Sequence, residues 1–511
     1  MARTSEYDPL RIAEIKVAAT GGGIGVTLCP GKKDPRARSG PWDRDLGADL
    51  DAIKAWDAAA VVTLIEDHEI ESLGVRALGD GVRARHMDWL HLPIVDGSIP
   101  DKRFEARWAA VGEGLRARIR DGARVLVHCK GGLGRAGTIA ARLLVELGED
   151  PEHAMVRVRE VRSGAIETNT GQEDFIRALE PVDEFLPKTD LYSIRDRAIG
   201  ALVGLAVGDA VGTTLEFSSR DDQAPRLTDM VGGGPFSLEP GQWTDDTSMA
   251  LALADSLLVS GGFDPADLMK RFVRWWRHGD YSSNGLCFDI GSTTREALDR
   301  FLRTGNPIAG STSPDKAGNG SLMRLAPVAM RYWTDENMRR QVAAGQSATT
   351  HGVPEAIDAC VAFTDILADA IAGKPRSEVL RSRRGPYPGR IGEIAGGAWR
   401  EKSRDRVRAS GYVAHSFEAA LWCVGRTSNF RDAILLAANL REDADTTAAI
   451  TGQLAGAIYG RSGIDPEWLC KVHAEQNISK VAEDLFEQAT VVRQARAANS
   501  LTPPPGEWRQ Q

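Results

Sequence analysis

Residues 127–137 read VHCKGGLGRAG, placing a cysteine at 129 and an arginine at 135 around a glycine-rich stretch. A thiolate, glycines whose backbone N–H groups can turn toward an anion, and a planar guanidinium that meets phosphate oxygens in pairs are the parts of covalent phosphoryl transfer. Cys129 would be the nucleophile and Arg135 the fixed cation. Lys130, Gly131, Gly132, Leu133 and Gly134 would form the phosphate loop, and His128 precedes the cysteine. Such surroundings are expected to draw the thiol from about 8.5 toward the acid range. A lone cysteine is more often buried and inert. Here the preceding strand, the spacing and the following helix all agree with a site.

Two further stretches, TDDTSM at 244–249 and DADTT at 443–447, each set two carboxylates and flanking threonines at the start of an apolar-periodic helix. Helix capping explains one acid per helix start. It does not explain an adjacent pair and a D-x-D pair, because four acids brought together repel unless cations lie between them. Donors that are all oxygen suit hard ions, Mg²⁺ or Mn²⁺, rather than zinc.

The elements that must position these residues differ along the chain. Within residues 1–185, strand-like AAVVTLIE (59–66) and RVLVHC (124–129) alternate with helical patterns in LDAIKAW, FEARWAAVGEGLRARI, AGTIAARLLVEL and PEHAMVRVREV. That alternation predicts an α/β sheet. DEFLPKTDLYS (183–193) breaks the pattern and marks a linker. Across 194–495 strand-like runs nearly vanish, and helical segments at 195–212, 245–260, 266–277, 354–373, 414–424, 430–439, 446–460 and 478–494 predict an all-α domain. Gly200, Gly204, Gly208 and Gly212 fall on one helix face, which points to close backbone packing. Residues 496–511 are expected to form a mobile Pro-rich tail.

Composition bounds the possibilities. A chain of 511 residues exceeds one ordinary core, and 42% hydrophobic with 26% charged residues describes a globular protein. A net charge of −8 argues against nucleic acid as a partner. Six dispersed cysteines and an opening MARTSEYDPL without an apolar core fit a cytoplasmic location. The most apolar stretch, 198–212, reads as too short to cross a bilayer, so no membrane partner is expected.

HCKGGLGRAG resembles the HC-x5-R signature of the Cys-based protein phosphatases. It is most like the cyclin-dependent-kinase-associated dual-specificity phosphatases, through GGLGR and the later SGAIET…Q segment (163–172), over most of residues 20–180. The resemblance implies a phosphorylated substrate, protein or small molecule, and a general acid on an upstream loop. HLPIVDGSIPD offers Asp96 and Asp101, and the DGSxP context favours Asp96. It also implies that Gln172 positions the water that cleaves the cysteinyl-phosphate. Most members carry Ser or Thr after the arginine, where this chain has Ala136. A slow second step follows, with Thr138 a partial substitute.

Residues 195–480 resemble the ADP-ribosylglycohydrolase family. RAIGALVGLAVGDAVGTTLEF is similar to its first helix and catalytic loop, and maps the catalytic glutamate onto Glu216. TDDTSM and DADTT map two-metal ligands onto Thr244, Asp245, Asp246, Asp443, Asp445 and Thr446. GNGSLMRLAP (318–327) resembles the substrate loop, implying contacts from Asn319, Gly320, Ser321 and Met323, with His351 following. The implied substrate is an ADP-ribosylated protein or an ADP-ribose-like small molecule. The family usually has two glycines before its D-x-D motif. This chain has Arg441-Glu442, expected to reshape the cleft. The expected whole is a bifunctional hydrolase: a Cys-dependent phosphatase at 1–185 and a metal-dependent ADP-ribosyl hydrolase at 194–495. A phosphatase directed by an ADP-ribose-binding or structural module without turnover is the second reading.

Overall fold

Short runs of small and β-branched residues, buried along their whole length, become the centre of a sheet. The structure, a computed structural model, describes residues 2–17, 21–37, 39–168, 170–220 and 224–500. It divides into two compact units, one built mainly from residues up to Phe185 and the other mainly from Leu186 onward.

The first unit holds strands β1 (Ala13–Val17), β2 (Gly22–Leu28), β3 (Lys33–Asp34), β4 (Trp42–Asp43), β5 (Ala58–Thr63), β6 (Asp88–His91) and β7 (Arg124–Cys129). Five form one sheet in the order β1-β2-β7-β5-β6, antiparallel between β1 and β2 and parallel elsewhere. Strands β3 and β4 pair separately. Successive side chains on a strand point to opposite faces. Val125 and Val127 of β7 accordingly enter one core with Phe104, Ile139 and Val158, and Leu126 enters another with Leu50, Leu78 and Val82. The first core is closed by α4 (Lys102–Arg120), α5 (Gly134–Glu146) and α6 (Pro151–Val161). The second is closed by α1 (Leu46–Ala55) and α3 (Leu78–Ala84). Between these lie α2 (Asp67–Ser72) and, after α6, the short α7 (Gln172–Arg177). The parallel strands β2, β5 and β7 run together, so their carboxyl ends, including Cys129, emerge along one edge.

The second unit is helical. Its axis is α8 (Leu191–Gly212) against the helix Ala444–Tyr459. A Cβ added to Gly200, Gly204, Gly208 or Gly212 would lie 2.3, 2.4, 2.1 or 2.4 Å from the carbonyl oxygens of Gly456, Gly452, Ala448 and Ala444, respectively. Partner numbers fall as glycine numbers rise, so the helices are antiparallel with backbones nearly touching. That register sets the end of α8 beside Asp443 and Asp445, where α9 (Asp245–Val259) also begins.

Two expectations are corrected. The helix containing 198–212 is longer than that stretch: Leu191–Leu215 is long and apolar enough to cross a membrane, yet 89% of its most apolar window is buried within the fold, which accounts for its composition. The expected tail from 496 begins inside a helix, Glu475–Ser500, and residues 501–511 lie outside the described residues.

Gly208→Ala should lower the unfolding free energy of the second unit by about 1–3 kcal/mol through overpacking, read as a lower urea midpoint. An unchanged midpoint would show that the seam is not close-packed.

Candidate functional site

β7 delivers Cys129 as its last residue, buried, and the chain turns through Lys130–Leu133 into α5. Gly132 has φ +68, and a Cβ there would sit 2.4 Å from the Thr27 carbonyl carbon, so glycine is required. Arg162, the residue after α6, donates to the carbonyls of Gly132 (3.0 Å) and Gly131 (3.1 Å). Among the described residues none accepts from the N–H groups of Lys130 to Leu133. The loop's carbonyls are thus satisfied while its donors stay free for an anion.

Arg135, buried in the first turn of α5, donates to both carboxylate oxygens of Glu69 (2.6 and 2.9 Å) and to the Ile94 carbonyl (2.9 Å). It also pairs with Asp96 at 2.8 Å. Burial alone would lower its pKa; the Glu69 hydrogen bonds, with the Cys129 and Asp96 charges, hold it above the ordinary range. Glu69 is fixed in turn by a reciprocal cap with Glu66 at the start of α2. Burial would raise the Glu69 carboxyl, but Arg135 outweighs burial and holds it below the usual range.

The two candidate acids separate. Asp96 lies on the loop after β6, exposed and on the guanidinium. Asp101 accepts from the N–H groups of Arg103 and Phe104 and caps α4. Gln172 is buried, accepts from Glu167 N (2.9 Å), and its Nε2 would meet a Gly134 Cβ at 3.0 Å. His128 is buried with Nε2 2.8 Å from the Thr63 hydroxyl, and burial pushes it down to about 3. Thr138 donates to the Gly134 carbonyl (2.9 Å), so its hydroxyl is engaged within its own helix rather than at Cys129.

In the second unit the acids gather where α8, α9 and Ala444–Tyr459 meet. Ligand atoms of Asp209, Asp246 and Asp445 lie within 4.8 Å of one another, and so do those of Glu216, Asp443 and Asp445. Asp445 therefore belongs to both groups. The Thr244 hydroxyl lies 2.9, 3.2 and 3.1 Å from carboxylate oxygens of Asp209, Asp246 and Asp445. One hydroxyl has one proton for three acceptors, and the buried Asp246 Oδ1 has no partner. Burial raises Asp245 and Asp246 well above the carboxylate range, and neighbouring acids add to it. Clustered oxygen atoms with too few hydrogen-bond donors to satisfy them fit divalent cations of the hard class.

A cleft of about 600 Å³ opens above these acids. Glu216, Asp245, Asp443 and Thr446 line it, with Asn319, Gly320, Met323 and His351. Asn319 donates to Asp443 (2.6 Å) and to Ser416 (2.8 Å). A Cβ on Gly320 would meet the His351 ring at 2.8 Å, so glycine lets the imidazole reach the wall. Glu216 accepts from the N–H groups of Ala444 (2.7 Å) and Asp445 (3.2 Å), capping that helix while facing the cleft. Ser321 departs from expectation. It is fully buried, bonded to Ser347 (2.8 Å), and does not line the cleft.

Arg441 and Glu442 both have φ +64, the left-handed conformation that two glycines would adopt freely. Arg441 is buried and donates to the Ala224 carbonyl, away from the cleft; Glu442 lines it. The sequence reading missed four residues. Asp209 is the lone acid of the apolar stretch 198–212, a signal that it must be partnered; burial and then Asp445 push it up to about 7. Asp289, in the cleft wall, is pushed up to about 11 by burial and by Asp245 and Asp445. Glu69 and Arg162 carry no local signal, since their partners lie 66 and about 30 positions away.

These two sites define a phosphatase-like unit and a helical hydrolase unit with an acid-lined cleft. The chain belongs to the ADP-ribosylglycohydrolase family, whose model matches residues 190–495. Members of that family depend on divalent metal. Residues 44–179 match the phosphatase domain described as "Swiss Army Knife protein, DSP-PTPase phosphatase domain". The ADP-ribosylarginine hydrolase Tri1 of Pseudomonas putida is 50% identical over 299 residues, 58% of this chain and 80% of that one. An ADP-ribosylglycohydrolase-related protein complex aligns with a TM-score of 0.53 at 38% identity, covering 58% of this chain and all of the other. The kinase associated phosphatase KAP, in a form with its catalytic cysteine replaced by serine, aligns over 33% of this chain and 92% of its own at 26% identity, with a TM-score of 0.29. The second unit belongs to an enzyme family and the first matches a phosphatase domain, so the general substrates indicated are ADP-ribosylated and phosphorylated molecules.

Two measurements follow. Adding Mg²⁺ or Mn²⁺ should raise the melting temperature of the second unit by about 5 °C at saturating ion, with most of that shift lost in Asp246→Asn; no shift in the wild type would exclude the cation site. In the first unit His128 stays neutral in the fold but is protonated near 6.5 once unfolded. Its contribution is full above about pH 6.5 and is lost as pH falls, by up to about 1.4 kcal/mol per pH unit. His128→Asn should remove that slope in urea titrations at pH 4–7.

Proposed function

We propose that this is a bifunctional cytoplasmic hydrolase whose first unit cleaves phosphomonoesters and whose second releases ADP-ribose from arginine. The observation that carries the reading is the pair of carboxylate groups sharing Asp445, with Glu216 and Asp443 lining the cleft, in a chain so similar to an ADP-ribosylarginine hydrolase.

In the first unit, Cys129 Sγ attacks phosphorus and the bond from phosphorus to the leaving oxygen breaks. Asp96 gives that oxygen its proton, having left the Arg135 guanidinium as phosphate takes its place. Arg135 and the free loop N–H groups hold the equatorial oxygens. Water held by Gln172 then breaks the S–P bond, returning its proton to Asp96 and releasing phosphate and thiolate.

In the second unit, two Mg²⁺ or Mn²⁺ ions, when bound by Thr244, Asp245, Asp246, Asp443, Asp445 and Thr446 with Asp209 or Glu216, would neutralise the acids and polarise ribose hydroxyls. Asn319 keeps Asp443 oriented. Gly320, Met323 and His351 form the wall against the nucleotide. Glu216, anchored on the helix start, takes the proton of a water that adds to the ribose anomeric carbon. The C–N bond to the guanidino group breaks, and arginine leaves with the bonding electrons.

Product release from a phosphotyrosyl peptide and from ADP-ribosylated arginine tests the assignment. Cys129→Ser should abolish the first activity and spare the second, and Asp245→Asn the reverse. Asp96→Asn should slow poor leaving groups by roughly 10²–10⁴-fold and activated aryl phosphates far less. Full phosphate release by Cys129→Ser would end the phosphatase assignment.

A further inference from the structure

Among the acids lining the cleft, Glu442 stands apart. It is the one cleft-lining acid among the described residues whose carboxylate is paired with an arginine, Arg408. Its carboxylate already holds a guanidinium at two points: Arg408 Nη2 at 2.7 Å and Nε at 3.4 Å, with Ala409 N donating at 3.0 Å. That guanidinium belongs to a side chain 55% exposed, so little holds it there.

An aromatic ring lies on the neighbouring strand of backbone. Phe217 N donates to the Glu442 carbonyl (2.8 Å) and Glu442 N to the Ser218 carbonyl (3.0 Å). Phe217 lines the cleft, is 67% exposed, and has φ +58. Its ring meets Phe236 edge-to-face at 6.2 Å, and the exposed remainder is apolar surface that a ligand in the cleft can cover. The two residues also follow and precede the reacting centre in the chain: Phe217 comes directly after Glu216, and Glu442 directly before Asp443. Both therefore line the cleft directly beside carboxylates assigned to that centre. A carboxylate and an aromatic ring on paired backbone segments of one cleft offer a planar cation two kinds of contact, the fork with the oxygens and the flat face with the ring.

We infer that Glu442 and Phe217 form the subsite for the guanidinium of ADP-ribosylated arginine, and that Arg408 occupies it until the substrate's own guanidinium displaces it. This rests on the arginine reading above and adds the residues that select for it. It also gives the Arg441-Glu442 departure from two glycines a purpose: the second side chain reads the leaving group.

The test uses the full chain with Mg²⁺ and ADP-ribosylated agmatine, with ADP-ribose binding measured alongside. Glu442→Gln should raise KM by roughly tenfold or more, the loss of a charge-assisted bond, with kcat and the ADP-ribose Kd within about twofold. Phe217→Leu should raise KM by a smaller factor. Arg408→Ala should lower KM, since it removes the internal competitor, whereas a merely supporting Arg408 would give a rise. An unchanged KM in Glu442→Gln, a parallel loss of ADP-ribose binding, or a raised KM in Arg408→Ala would each overturn the proposal. If the wild type releases no ADP-ribose from agmatine, the arginine reading fails by itself. Calorimetry of free agmatine into the ADP-ribose-loaded wild type and Glu442→Gln then decides the subsite: Glu442-dependent binding upholds it, and no binding overturns it.

Discussion

The second unit depends on one contact, the glycine seam between α8 and the helix Ala444–Tyr459. Four glycines on α8 let two backbones approach until only a hydrogen atom fits between them. The antiparallel register that results is fixed every four residues, and one consequence is chemical. The end of α8 carries Asp209 and leads to Glu216, and the start of the partner helix carries Asp443 and Asp445. Sliding either helix by one turn would separate these acids by about 5 Å. Residues chosen for their lack of side chains therefore position residues chosen for their charge.

Both units bury charge, and each resolves it differently. In the phosphatase-like unit a buried guanidinium meets a buried carboxylate, Arg135 on Glu69, and the pair is complete within the protein. Its geometry is set before any phosphate arrives, which is the preorganisation that electrostatic catalysis requires. In the helical unit the buried groups share one sign. Threonine hydroxyls, helix N–H groups and Asn319 satisfy part of them, and the remainder is left for cations. One site is closed electrostatically and the other is open, and that contrast follows from the residues alone.

Much of this was legible in the sequence wherever function and local structure coincide. The strand RVLVHC, the turn of glycines and the helix after Arg135 appear at their expected positions because each follows a local rule. The same holds for the helices that begin at Asp245 and near Asp443. The edges of the sheet were not legible. Strand β2, GGIGVTL, contains three glycines, and β6 has four residues, so neither carries a strong periodic signal. Glu69 and Arg162 escaped notice because an ion pair or a carbonyl contact across tens of residues leaves no spacing to read. Ser321 was misplaced for the opposite reason. It sits in a stretch whose neighbours do face the cleft, and a turn there sends its side chain inward.

The paired left-handed residues at 441 and 442 set two measures of quality against each other. A side chain in that conformation costs about 1 kcal/mol relative to glycine, so restoring both glycines would relax the backbone. It would also delete the carboxylate that faces the cleft. A library of variants sorted for heat resistance would drift toward glycine at these positions, and one sorted for turnover of the chosen substrate would drift away from it. This segment is therefore where the chain keeps selectivity at the expense of rigidity.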